Sequence, residues 1–171
     1  MVHQLIKFKM IDLKTHIERA KLQIQKNKKI ASLLLKKKPK NLDVVVNKLH
    51  NIAFSHINCL DCANCCKSIS PIITDKDIQR IAKHLRIRPA QLAEIYLLLD
   101  DEHDYVFKQQ PCPFLNVDNY CSIYEARPKA CREYPHTDRE KFYQLLNLSV
   151  KNTIICPAVL EVFDGLEIEY K

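Results

Sequence analysis

Cys59, Cys62, Cys65 and Cys66 put four thiols into eight consecutive residues, within INCLDCANCCKSISP. No other feature restricts this chain as strongly, because four clustered sulfurs must be bridged, ligated or protected from oxidation. Four more cysteines follow at Cys112, Cys121, Cys131 and Cys156. Small secreted scaffolds use such a density for disulfides, but 171 residues with 47% hydrophobic content can build a core without them. The N-terminal MVHQLIKFKMIDLKTHIERAKLQ is charged and interrupted and lacks the apolar h-region of a secretory leader. No run approaches the ~18 apolar residues of a membrane span. The expected compartment is the cytosol, where clustered cysteines bind metal or do redox work rather than form bridges.

The spacing narrows the chemistry. C-x-x-C lets two sulfurs from one turn face one metal centre. Here the spacing is doubled, so Cys59, Cys62 and Cys65 are expected to converge. Zinc modules usually bring two ligands from each knuckle. Three from one loop with a remote fourth, often followed by proline, is the arrangement of [4Fe–4S] ferredoxins. Both Cys112-Pro113 and Cys156-Pro157 meet that description. Zinc accepts the same thiolates, so the expected cofactor is zinc or an iron–sulfur cluster, with the triple spacing favouring the cluster.

Adjacent side chains in extended backbone point to opposite sides. Cys65 and Cys66 therefore serve different centres, unless Cys66 is a spare thiol. One division sets Cys59, Cys62, Cys65 and Cys156 against Cys66, Cys112, Cys121 and Cys131. A binuclear site with shared sulfurs satisfies the same arithmetic. All eight cysteines are candidate metal ligands, although Cys112 or Cys121 taken alone also reads as a buried apolar residue.

In CSIYEARPKACREYP, Pro128 opens a helical turn just before Cys131, where backbone N–H groups favour a thiolate. Arg127 and Arg132 place positive charge beside what would be an anionic centre. His136 is a substitute ligand. The single glycine, Gly165, excludes a dinucleotide fingerprint and a phosphate-cradling P-loop, both of which need several glycines.

Helical periodicity dominates the rest. Ile6, Met10, Leu13, Ile17, Ala20 and Ile24 form one stripe of a helix over about 3–37, interrupted at Asn27, resuming at Ala31 and Leu34, and ended by Pro39. A second helix over about 41–56 completes a hairpin. Thr74 is an N-cap with Asp75 and Asp77 behind it, and a further helix runs from Pro89 to Leu99. DYVFKQQPCPFLNVDNYCSIY alternates like a short β-hairpin turning near Asp118–Asn119. Helices over about 139–151 and 157–164 close the chain. The expected fold is mainly α: a basic helical hairpin, 1–56, packed on a cysteine-rich metal-binding domain, 57–171, that carries the β-hairpin.

The basic character is confined to the hairpin. Residues 1–50 hold thirteen Lys/Arg against three Asp/Glu, while the remainder is slightly acidic. Such a surface offers itself to a protein partner. Nucleic acid is a weaker fit, because Phe8 and Phe54 are the only aromatic residues there to stack bases.

The ordered set Cys59-x-x-Cys62-x-x-Cys65-Cys66, CPFL from Cys112, CSIYEARPKACREYP from Cys121 and Cys156-Pro157 resembles the CxxCxxCC, or YkgJ-like, family over about 57–158. That resemblance implies a zinc- or iron-chelating protein whose centre is held by these cysteines, with a structural, redox or metal-handling role. Some relatives are flagellin lysine-N-methylases that use S-adenosylmethionine. They are longer chains, so a cluster-dependent protein-modifying enzyme is an alternative, as is a nucleic-acid-binding zinc module. No paired carboxylates or nucleophile–base set stands out in the sequence to support catalysis.

Overall fold

The computed structural model describes residues 12–171, so Ile6 and Met10 of the expected stripe lie outside the described residues. The protein is mainly helical with a two-stranded antiparallel sheet. Its helices are α1 (Leu13–Lys37), α2 (Leu42–Phe54), α3 (Cys59–Cys62), α4 (Asn64–Ser68), α5 (Asp75–Leu85), α6 (Pro89–Tyr96), α7 (Lys129–Glu133), α8 (Leu146–Ile155) and α9 (Pro157–Tyr170). Strands β1 (Leu97–Leu99) and β2 (Tyr105–Phe107) lie between α6 and α7. The chain divides into two compact units. One runs through Cys62 and includes Pro135–Lys171; the other is Ala63–Tyr134.

In the first unit, α1, α2, α8 and α9 form a helical bundle. α1 begins where the Asp12 carboxylate accepts the Lys14 and Thr15 N–H groups, and ends at Lys38 in the left-handed region before Pro39. The core joins Leu34, Leu42 and Val46 to Phe142, Leu146, Val159, Phe163 and Leu166. On α9 these apolar residues recur at three and four residue steps, one face of a helix. Lys26 reaches Glu167 at 2.8 Å and Asp164 at 3.3 Å, and Arg19 also pairs with Asp164. Asp43 accepts the N–H groups of Lys141 (2.7 Å) and Phe142 (2.9 Å), fixing the turn that seats Phe142 in the core.

The helix expected to stop at residue 164 instead runs through Gly165 to Tyr170. A Cβ at Gly165 would stand 2.4 Å from Leu49 Cδ2, so the missing side chain is what lets α9 approach α2.

Asn27 does not break the buried face of α1; it is part of it. The residue is 0% exposed, and neither its Oδ1 nor its Nδ2 has a hydrogen-bond partner among the described residues. A buried amide without partners loses its hydration for nothing in return. Asn27→Leu is therefore expected to stabilise the bundle by about 1–2 kcal/mol, read as a higher urea midpoint at unchanged slope.

His16 is buried, with Nε2 3.1 Å from the Ile154 carbonyl oxygen of α8. Burial pushes its pKa below the ordinary histidine value, against the opposing pull of that carbonyl. The unfolded chain binds a proton that the folded imidazole resists. Stability thus falls as pH drops below about 6.5 and goes on falling until the folded ring also titrates. Melting curves between pH 8 and pH 5 check this: the gap between the wild type and His16→Gln should shrink toward low pH.

In the second unit Thr74 is the N-cap of α5 as expected, and it goes further into a capping box, with Thr74 Oγ1 accepting the Asp77 N–H at 3.2 Å. The core gathers Ile73, Ile78, Ile81, Leu92, Leu97, Phe107, Phe114 and Ile123. The last three residues of the expected 89–99 helix are strand β1. Leu97 is extended, and Leu97–Leu99 pair with Tyr105–Phe107, which satisfies backbone groups that a helix end would leave open. The turn near Asp118–Asn119 is present, with Asn119 left-handed, but it closes a single bridge, Leu115 to Cys121.

Candidate metal centre

Five of the eight cysteines belong to the second unit. α4 carries Cys65 and Cys66 and follows Ala63, a left-handed residue at φ 47°. The Cys65 and Cys66 sulfurs are 3.9 Å apart. The Cys112 N–H donates to the Cys66 carbonyl at 2.8 Å, and the Leu115–Cys121 bridge holds Cys121 over the same segment. Cys112 and Cys121 both pack against the edge of the unit's apolar core. Cys131 comes on α7, which opens directly after Pro128, its N-cap, as the sequence predicts.

These thiols act on one another. Burial pushes the Cys131 thiol up to about 12, and negative charge at Cys66, Cys112 and Cys121 pushes the same way, with Arg127 opposing. Burial likewise raises Cys112 to about 11, with Cys66 and Cys121 adding to it. Burial also raises Cys121. Cys66 runs the other way, down to about 7, chiefly through its hydrogen bond with Cys65.

Backbone donors already face several sulfurs. Cys112 accepts from the N–H groups of Phe114 and Leu115, and Cys121 from that of Ile123. Hydrogen bonds of this kind favour the thiolate form and orient a metal-binding sulfur.

The two arginines differ in what they reach. The Arg127 guanidinium lies over the Tyr124 ring at 3.7 Å and lowers both Cys121 and Cys131 electrostatically. The Arg132 guanidinium donates to the Arg127 carbonyl at 2.9 Å.

The other three cysteines belong to the first unit. Cys59 and Cys62 are the two ends of α3, with Cys62 buried. Cys156 separates α8 from α9 and packs beside Ala53, Ile57 and Ala158. Burial raises Cys156 to about 12; charge at Cys59 and Cys62 adds to that, and the N–H groups of Val159 and Ala158 oppose it. Proline at the first position of α9 leaves those two amides pointing at the sulfur. His136 also lies in this unit.

No disulfide joins any of the cysteines. Among the described residues, no three His, Cys, Asp or Glu side chains stand at metal-holding separation. Within each unit, sulfurs act on one another electrostatically without being closed on one point. As a donor set they fit soft, thiolate-binding metals, zinc and iron above all, and do not fit calcium or magnesium, which take oxygen ligands.

Two residues of α5 also serve this region, and the sequence presented one of them, Asp77, only as part of a helix start. Asp77 and Arg80 of α5 hold the backbone over 126–129 that leads into α7. The Thr74-x-x-Asp77 signature revealed one carboxylate oxygen's role; nothing local revealed the other's.

Residues 58–149 match the CxxCxxCC family, described as "putative zinc- or iron-chelating domain". This chain belongs to the CxxCxxCC family. The match covers more than half of the sequence and takes in seven of the eight cysteines, leaving Cys156 beyond it. Comparisons of this CxxCxxCC protein with curated proteins and with solved structures found no match. No described helix is long and apolar enough to cross a membrane.

Proposed function

We propose that this protein holds cysteine-ligated zinc or iron–sulfur centres, with Cys66, Cys112, Cys121 and Cys131 as the donors of one and Cys59, Cys62 and Cys156 as donors of a second. The observation that carries this reading is the meeting of three chain segments in the second unit. They bring four sulfurs into mutual electrostatic range and turn backbone N–H groups toward two of them. Four thiolates crowded together without a cation repel one another, and a bound cation reverses that cost. Ligation requires the thiols to lose their protons and turn toward a common point.

The role is in the first place structural. The 63–72 and 108–131 segments have little regular structure, and the Cys112, Cys121 and Cys131 side chains lie where those segments must be fastened. The two Cys-Pro pairs favour iron–sulfur, and a centre built on reduced thiols fits a cytosolic protein. Bound there, the metal supplies cross-linking of the chain and, as a cluster, an electron-accepting site.

Anaerobic purification decides between the metals. Visible absorption with matched iron and acid-labile sulfide supports a cluster, whereas a colourless protein with stoichiometric zinc supports a structural site. A chain that folds with neither, and acquires neither on reconstitution, rules the reading out.

A further inference from the structure

The Asp77 carboxylate is 1% exposed and has both oxygens engaged. Oδ2 accepts the Thr74 N–H at 3.0 Å and the Thr74 hydroxyl at 2.6 Å. A capping box requires no more than this. Oδ1 does something a cap does not need: it accepts the Lys129 N–H at 2.9 Å, the first amide of α7, 52 residues away in sequence. Oδ1 also accepts from the Arg80 guanidinium. The same guanidinium donates to the Arg127 carbonyl at 2.8 Å and, through Nε, to the Ala126 carbonyl at 3.3 Å.

The pair therefore grips three backbone positions, 126, 127 and 129, on either side of Pro128, which has no N–H to offer. Burial raises the Asp77 carboxyl, but the Thr74, Arg80 and Lys129 donors outweigh it and hold the group ionised. Cys131 follows two residues after Lys129, and Arg127 is the cation that acts on Cys121 and Cys131.

We infer that Asp77 and Arg80 are positioning residues for the Cys66, Cys112, Cys121 and Cys131 centre: their ion pair fixes where α7 begins, and so where the Cys131 sulfur is presented. The inference rests on the metal-centre reading above. A grip of this kind limits the freedom of one donor before the ion arrives, which raises affinity by preorganisation.

Cobalt(II) is the test probe, because thiolate-to-cobalt absorption reports how many sulfurs bind. The full-length metal-free chain is titrated against a competing chelator as wild type, Asp77→Asn, Arg80→Lys and Leu92→Ala. Asp77→Asn keeps the shape but turns an amide donor toward donors. Arg80→Lys keeps the charge but loses the reach to two carbonyls. Leu92→Ala removes a fully buried core side chain of the same unit away from α7, and serves as the control for general loss of stability.

The expected result is at least a tenfold loss of cobalt affinity in Asp77→Asn and in Arg80→Lys, with weakened thiolate absorption per bound ion. Leu92→Ala should keep the wild-type spectrum. Equal spectra and affinities across the Asp77, Arg80 and Leu92 variants would overturn the positioning role while leaving the metal centre intact. A wild type that takes up no cobalt would overturn the centre itself. Where Asp77→Asn fails to fold, Arg80→Lys decides the question.

Discussion

Cys131→Ser is expected to abolish metal binding at the proposed Cys66, Cys112, Cys121 and Cys131 centre and to destabilise residues 63–134 by more than about 3 kcal/mol, because structural metal in small modules contributes on the order of 10 kcal/mol. Cys131 is the informative position because its sulfur is affected by three other thiols from two other segments, Cys66, Cys112 and Cys121. Serine preserves the volume but replaces a soft donor with a hard one. Metal content per chain should fall by one site, and the melting transition assigned to this unit should move down or vanish. Treating the wild type with a strong chelator should reproduce the shift, and chelation should then have little further effect on Cys131→Ser at this site. If the variant retains full metal content and melting temperature, Cys131 is a packing residue and the four-sulfur centre is wrong.

Phe163→Ala is expected to cost about 3–5 kcal/mol through lost burial and the cavity left behind. Phe163 is 0% exposed and shares the core of the first unit with Leu34, Val46, Phe142, Leu146, Val159 and Leu166. Apart from Phe142, which lies in the turn before α8, these residues come from α1, α2, α8 and α9, so no rearrangement of one helix can fill the gap. Urea unfolding followed by helical circular dichroism measures the effect. Phe163→Leu should cost far less, since it keeps much of the volume. A loss under about 1 kcal/mol for the alanine variant would mean that the cavity collapses freely, contrary to a packed four-helix core.

Much of this was readable from the sequence, and for local reasons. The Thr74 cap, the stop at Pro39, the turn at Pro128 and the main helices follow from side chains acting on backbone within about four residues. The thiol spacing at 59–66 named a soft-metal chemistry in the same way, because ligand type and spacing are local properties. Other features were hidden. Leu97–Leu99 look like the end of a helix until Tyr105–Phe107 supply an edge to pair with. Gly165 looks like a stop until Leu49 is seen to occupy the space its side chain would need. Asn27 reads as an interruption, yet it is fully buried. Asp77 reads as a cap, and its second oxygen acts on Lys129.

By itself, then, the sequence determined the mainly helical class, several helix boundaries, a supply of eight thiols suited to soft metals and the exclusion of glycine-dependent nucleotide sites. Only the tertiary structure decided that residues 135–171 return to complete a bundle with α1 and α2, and that an ion pair on α5 grips the approach to Cys131. The physical reason is the range of the interactions. Capping, proline sterics and ligand spacing act between near neighbours. Bundle packing and the Asp77–Lys129 bond join residues separated by as many as 145 and by 52 positions, and no local pattern records which distant surface a buried face or a second carboxylate oxygen will meet.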